Sequence, residues 1–324
     1  MPKSEVVMLR LADHWIWDSW VVDSGDEYHL FFLKAPRALV DPALRHEAAT
    51  IGHATSPDLV DWDYRGDAFL PADSGWDDLA IWTGSVALGG DGVWRFYYTA
   101  LSTAGRGVFD QRIGLAESDD LRTWRRVGTA PVVEPDPRHY KTLDGTGPAS
   151  ETWRDPFVFA DPGGDGWHML ITARDPHAPR LSDGVVGHAR SHDMRTWALG
   201  PPIAGPAGFG QIEVAQARVV DGQPLLTFTC HPQEQSARQQ SGGAYCTWTV
   251  CGDSVTGPWD LEQARPFVDE PKLFAAPLVR RRDGTWAYLG FHNQEPEGIL
   301  SFDLLDPIPV ELSGGALVAR RPGA

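Results

Sequence analysis

The sequence predicts an all-β fold, a five-bladed β-propeller, on three observations. A short aromatic strand pattern recurs five times, a strand–turn–Trp pattern follows four of the copies, and helical periodicity is nearly absent from 324 residues holding 34 Gly and 26 Pro. Repetition of β units at the length of a four-stranded blade is how a propeller leaves only short, protected edges.

The first recurring element is a strand after a Gly or acidic turn. It occurs at residues 26–33 (DEYHLFFL), 92–99 (GVWRFYYT), 166–172 (GWHMLIT), 222–229 (GQPLLTFT) and 284–290 (GTWAYLG). The second is a strand, a polar Ser-Asp turn and a Trp opening the blade's outer strand. It reads 52–62 (GHATSPDLVDW), 114–124 (GLAESDDLRTW) and 187–197 (GHARSHDMRTW), and a degraded copy runs through 244–248 (AYCTW) and 257–259 (GPW). His53 and His188 stand at equivalent repeat positions, which predicts a shared structural role rather than a metal site. The repeats fill the chain, so residues 1–324 are expected to form one propeller domain without a linker.

Composition narrows the function. With 28 basic and 44 acidic residues the formal charge is −16, which gives no reason to bind nucleic acid or an anionic membrane. A neutral sugar is the easier ligand. The 14 Trp are read mainly as blade-packing residues, with some available as sugar platforms. No apolar run approaches the roughly 18 residues of a membrane span, and residues 1–8 show no export signal. Three cysteines, Cys230, Cys246 and Cys251, are too few and too odd for a disulfide framework, so a reducing cytoplasm is expected. A Cys246–Cys251 metal pair lacks completing ligands and reads as small thiols. Neither a metal nor a cofactor is expected.

The segment before each aromatic strand is expected to be the innermost strand of its blade. These segments are 15–22 (WIWDSWVV), 81–87 (IWTGSVA), 153–159 (WRDPFVF), 211–217 (QIEVAQA) and 274–279 (FAAPLV). Three carry a carboxylate followed by an apolar strand: Asp18, Asp155 and Glu213. Inner strands converge on one funnel, so these acids are expected to meet. Glycoside cleavage needs one group to protonate the leaving oxygen and another to attack the anomeric carbon or activate water. Crowded acids raise one another's pKa, which supplies a proton near neutral pH. Asp26, Asp91 and Asp221, by contrast, read as turn residues facing water.

Four blocks resemble the fructosyl-processing glycoside hydrolases of families 32 and 68, the invertase, levanase and levansucrase group. They are Trp17-Asp18-Ser19-Trp20, Trp82-Thr83-Gly84-Ser85, Arg154-Asp155-Pro156 and the strand of Glu213. The first is closest to the levansucrase side. The resemblance implies a retaining mechanism on β-fructofuranosides, sucrose or small fructo-oligosaccharides, with transfer to acceptors other than water. Asp18 would be the nucleophile, Asp155 the transition-state stabiliser and Glu213 the general acid and then base. Trp17, Trp82, Ser85 and Arg154 would shape the fructosyl subsite, and Gln211 and His231 would face the leaving group.

The pattern departs from the resemblance near the acid. Gln211 replaces a second acidic residue, Val214 replaces an Arg, Ala215 and Gln216 replace a Cys-Pro pair, and Gly210 stands where some members have a calcium-binding acid. No calcium is therefore implied. The β-sandwich that follows the propeller in family 32 is not expected after residue 310. Two further readings stand beside this one: an inverting arabinofuranosidase or xylosidase of the family 43 type, which also uses two Asp and a Glu on five blades, and a sugar-binding propeller without catalysis.

Overall fold

The computed structural model describes residues 7–143, 151–293 and 302–320. Five four-stranded antiparallel sheets follow one another along the chain. Blade I comprises His14–Asp23, Tyr28–Pro36, Thr50–Ser56 and Asp63–Phe69. Blade II comprises Ala80–Leu88, Trp94–Leu101, Arg112–Ser118 and Arg125–Arg126. Blade III comprises Arg154–Ala160, Trp167–Arg174, Gly184–Ser191 and Ala198–Leu199. Blade IV comprises Glu213–Val220, Gln223–Thr229, Thr247–Cys251 and Arg265–Pro266. Blade V comprises Leu278–Arg280, Trp286–Tyr288, Ile308–Ser313 and Ala316–Ala319. The expected five-bladed propeller is the observed one. Residues 1–6, part of the stretch read for an export signal, lie outside the described residues.

The apolar runs of the second strands follow from burial on both faces. Side chains alternate between the faces of a strand, and each face of a propeller blade packs on a neighbour. Phe96 and Tyr98 join the cluster between blades I and II, with Trp20 stacked at 5.4 Å on Phe96. Tyr97 points the other way, into the cluster shared with blade III, where its hydroxyl donates to the Met194 carbonyl at 2.6 Å. Phe157, Phe228 and Trp248 fill the interface of blades III and IV, Leu225 and Tyr288 that of IV and V. The seam between V and I is thinner, with Tyr28, Leu59, Ala287 and Leu289. There Arg282 adds an ion pair to Asp23 at 2.7 Å.

The Ser-Asp turns are three copies of one device. In each, the Ser hydroxyl donates to the Asp carboxylate at 3.0 Å: Ser56 to Asp58, Ser118 to Asp120 and Ser191 to Asp193. The same carboxylate accepts the next backbone N–H groups, an arrangement Ser and Asp favour in turns. The following residues, Leu59, Leu121 and Met194, take left-handed φ of 71°, 60° and 59°. That conformation costs a non-Gly residue about 1–2 kcal/mol, and the burial of all three side chains offsets it. The repeat histidines form ring pairs, His29 with His53 at 3.0 Å, both buried, and His168 with His188 at 2.7 Å, partly buried. Their shared role is structural. Asp26, Asp91 and Asp221 are exposed at turns, and Cys230 and Cys246 are free and buried, with Cys251 half-buried.

Gly84 tests the packing of the inner strands. A Cβ there would sit 2.0 Å from the Tyr97 carbonyl oxygen, a backbone atom held in a ladder. Gly84→Ala should destabilise the protein by about 1–3 kcal/mol, the ordinary cost of overpacking, as read by chemical denaturation.

Candidate active site

A regular inner strand would not serve chemistry at the axis, because its side chains face the neighbouring blades. Each inner strand breaks register where a site residue is needed. Pairing skips between Trp17 and Ser19, Trp82 and Gly84, Arg154 and Phe157, and Glu213 and Gln216. These are β-bulges, which re-aim side chains. Asp18, Asp155 and Val214 in the bulges have φ of 26°, 55° and 51°, and Ala275 of blade V has 42°. Strain of this kind collects at functional sites.

The bulges define two levels of the funnel. The outer level is made by the last paired residues, Trp17, Trp82, Arg154, Glu213 and Phe274, whose partners are Leu33, Thr99, Thr172, Thr229 and Phe291. The inner level holds Asp18, Thr83, Asp155 and Val214. The three acids therefore meet as expected, but Glu213 stands one residue and one level out from Asp18 and Asp155. The residues of both levels line a single cavity of about 390 Å³, with Gln211, His231, Arg45, His46 and Arg174. Ser85 does not line it. Its hydroxyl oxygen accepts the Val158 N–H at 3.0 Å, tying blade II to blade III beneath the acids. The expectation that Ser85 touches substrate is corrected. Two residues on from the bulge, it faces the next blade, and Thr83 is the residue of that block that reaches the acids.

Asp155 is 5 % exposed. The Thr172 hydroxyl and the Val214 N–H lie 2.9 and 3.3 Å from its Oδ2, and Thr99 Oγ1 accepts its backbone N–H at 2.9 Å. The Thr83 hydroxyl donates to Asp18 Oδ2 at 2.5 Å. Arg154 bonds Glu213 Oε1 and donates to Gln211 Oε1 at 3.2 Å, with Nε 3.4 Å from Asp155. One guanidinium thus bridges two of the acids. Burial pushes the Asp18 carboxyl up to about 7, against the Thr83 hydrogen bond and with help from the charges of Asp155 and Glu213. Burial likewise raises Asp155 to about 6, although Arg154 opposes it. Gln211 and His231 both reach the cavity; the His231 ring accepts the Gln233 N–H at 3.3 Å.

Several cavity residues were not read from the sequence. Arg45 and His46 come from a 3-10 helix, Pro42–Ala48, inserted between two strands of blade I. The Arg45 guanidinium lies 4.4 Å over the Phe302 ring and 5.4 Å from that of Trp17. Burial lowers Arg45 to about 10 and His46 to about 3, so the imidazole is neutral. The His46 carbonyl accepts the Trp82 indole N–H at 2.7 Å, fixing that ring. Thr83 had a signal: it follows Trp82 as Asp18 follows Trp17. Among the described residues, no group of three or more His, Cys, Asp or Glu could hold a metal ion, and no helix is long and apolar enough to cross a membrane.

The model of the glycosyl hydrolases family 32 N-terminal domain matches residues 14–294, nearly the whole propeller. The chain belongs to glycosyl hydrolase family 32. A levanase of a Bacillus species is 31% identical over 163 residues, 46% of this chain and 15% of the levanase. A β-fructofuranosidase (insoluble isoenzyme) of Arabidopsis thaliana is 29% identical over 193 residues, 57% of this chain and 32% of that enzyme. The matched stretch spans less than a third of either relative. Among solved structures, the inulosucrase from Halalkalicoccus jeotgali bound to kestose matches with TM-score 0.75 at 21% identity, over 98% of this chain and 91% of that one. Bacillus subtilis levansucrase matches with TM-score 0.72 at 14% identity, over 98% and 88%. Both share the fold. The family 32 part of the resemblance read from the four blocks is thereby shown, and the likeness to the inulosucrase and the levansucrase is one of fold.

The raised pKa of Asp18 has a consequence for stability. The folded state keeps the proton to about pH 7 where the unfolded chain loses it near the ordinary 3.8, so this group lowers stability as pH rises between those values. Asp18→Asn removes the buried charge. It should leave stability nearly unchanged at pH 4 and raise it by a few kcal/mol at pH 8, at about 1.4 kcal/mol for each tenfold change in proton affinity. Thermal unfolding of both proteins at the two pH values measures this.

Proposed function

We propose that this family 32 chain is a retaining glycoside hydrolase that cleaves β-fructofuranosides, sucrose or small fructo-oligosaccharides, and transfers the fructosyl group to acceptors other than water. One observation carries the reading. At the floor of a sugar-sized cavity, Asp18 is held, among the described residues, by a single hydroxyl donor, while Arg154 bridges Asp155 and Glu213 beside it. The Asp18 carboxylate attacks the anomeric carbon, and the bond to the leaving oxygen breaks. Glu213 gives its proton to that oxygen through Oε2, since Arg154 occupies Oε1. Water then attacks the fructosyl–Asp18 ester and returns a proton to Glu213. Asp155, fixed by Thr172 and the Val214 N–H, bonds ring hydroxyls and steadies the positive charge of the transition state. Trp17, Trp82 and Arg154 form the fructosyl subsite, and Gln211 and His231 bound the leaving-group side. We further infer one catalytic domain over residues 1–324 and a cytoplasmic location, the latter supported by three unpaired cysteines. Family membership favours this reading over the inverting pentofuranosidase, and the intact acid set favours it over a non-catalytic propeller.

The acids and the stereochemistry test the reading together. Asp18→Asn and Glu213→Gln should each lower kcat on sucrose by several orders of magnitude with the fold intact; near-normal turnover in either would overturn the assignment. In carbon-13 spectra the first sugar released by the unmodified protein should be β-fructofuranose, with methyl β-fructofuranoside formed in added methanol. First release of the α-anomer would exclude a fructosyl–enzyme.

The pH profile follows from the same group. Only ionised Asp18 attacks, so kcat/KM should climb as pH rises toward about 7, the value set by burial. Thr83→Val removes the hydrogen bond that favours the ionised form and should move this acidic limb to higher pH. An unmoved limb would show that another group controls it.

A further inference from the structure

The central channel has a second cavity, of about 310 Å³, on the far side of the acid ring. Thr83, Asp155 and Val214 line both cavities, so the two lie back to back. Arg218 of the blade IV inner strand enters the second one, its guanidinium carbon 4.6 Å over the Phe157 ring. Among the described residues Arg218 has no hydrogen-bond acceptor or carboxylate partner, and burial alone, with no acid opposing it, lowers its pKa to about 10. By surface exposure Arg218 is half-buried, and a partly desolvated cation without a partner carries a cost. The carboxylate at this mouth, Asp23, is already engaged by Arg282 at 2.7 Å.

Ser85 and Gln216 beside it each accept one backbone N–H and keep donor protons free, and Asp155, also on this wall, has its Oδ2 contacted by the Thr172 hydroxyl and the Val214 N–H. Ser85 Oγ accepts the Val158 N–H at 3.0 Å, and Gln216 Oε1 accepts the Leu278 N–H at 3.1 Å. The Ser85 hydroxyl proton and the Gln216 amide protons find no acceptor among the described residues. The Ser19 hydroxyl, on the same wall, is buried without a partner. A pocket of unspent donors around one guanidinium complements oxygen atoms bearing negative charge.

We propose that this cavity is a binding site for a small oxyanion, a carboxylate or a phosphate, held by the Arg218 fork with Ser85 and Gln216 beside it. The site is separate from the sugar cavity and does not depend on the fructoside reading. General attraction of anions is not expected from a chain of net charge −16, so saturable binding points to a built site.

Calorimetric titration of the whole protein with inorganic phosphate and, separately, with acetate tests the proposal. One or both should bind at a single site with a dissociation constant of about 1 mM, and which one binds distinguishes the two sources of charge. Arg218→Met should weaken that binding about tenfold or more while leaving kcat unchanged. In anion-free buffer its melting temperature should equal or exceed that of the unmodified protein, because an unpaired, half-buried charge has gone. The proposal is overturned if neither anion binds, if Arg218→Met binds as tightly, or if that variant is destabilised in anion-free buffer. Arg218→Lys, which keeps the charge and loses the planar fork, should bind more weakly than the unmodified protein.

Discussion

A propeller blade turns its sheet edge, not its side chains, toward the axis, and the break in each inner strand resolves that conflict. Where Asp18 and Asp155 take left-handed φ, the ladder gives up its regular pairing and a carboxylate enters the funnel. Everything else at the site is arranged about these breaks. The residue before each bulge still pairs, so it is fixed one level out, and the residues beyond it return to the faces between blades. The strain is sustained because the strands on either side are buried on both faces. The Thr residues opposite the bulges add local support: Thr99 donates to the Thr83 carbonyl at 2.9 Å and accepts the Asp155 N–H at the same distance.

Charge balance at the axis is uneven, and the unevenness has physical sense. Of the guanidinium groups that line the cavity, Arg154 sits on Glu213 and Asp155, Arg174 pairs with Asp183, and Arg45 is stacked on aromatic rings. Asp18 is left with a neutral donor. Its proton affinity is therefore set by desolvation more than by any pair, which makes it the group that a bound sugar, by excluding the remaining water, affects most. A carboxylate kept short of partners is also a stronger nucleophile than one locked in a bidentate ion pair. The cost is carried by the folded state, as is common where function needs a destabilised group.

The blades and their order were legible because each repeat must bury the same faces and make the same turn. Ser56, Ser118 and Ser191 followed two residues later by an Asp announced three turns that the structure builds alike. The acids were legible because a carboxylate before an apolar strand is unusual. What a repeat does not show is the offset within it. Glu213 and Asp155 looked equivalent, yet the bulge follows the first and contains the second. Ser85 was misplaced for the same reason, since one register break decides whether a residue faces the axis or the next blade. Arg45 and His46 were not legible in the sequence because they lie in the connection between the second and third strands, which blades II and IV also fill with short helices but with unrelated residues.

The ring is closed by parts of the chain that are far apart in order of synthesis. The Ile16 N–H, two residues before Asp18, donates to the Phe302 carbonyl at 2.9 Å, and the rings of Trp17 and Phe302 lie 6.3 Å apart. Arg10 and Arg37 of the first blade region converge on the buried Asp303. A nascent chain emerging from the ribosome therefore holds its first acid in an unsupported edge until the last blade has been made. A truncated product that stops before Phe302 would retain all three acids and still lack the contacts that position the first of them.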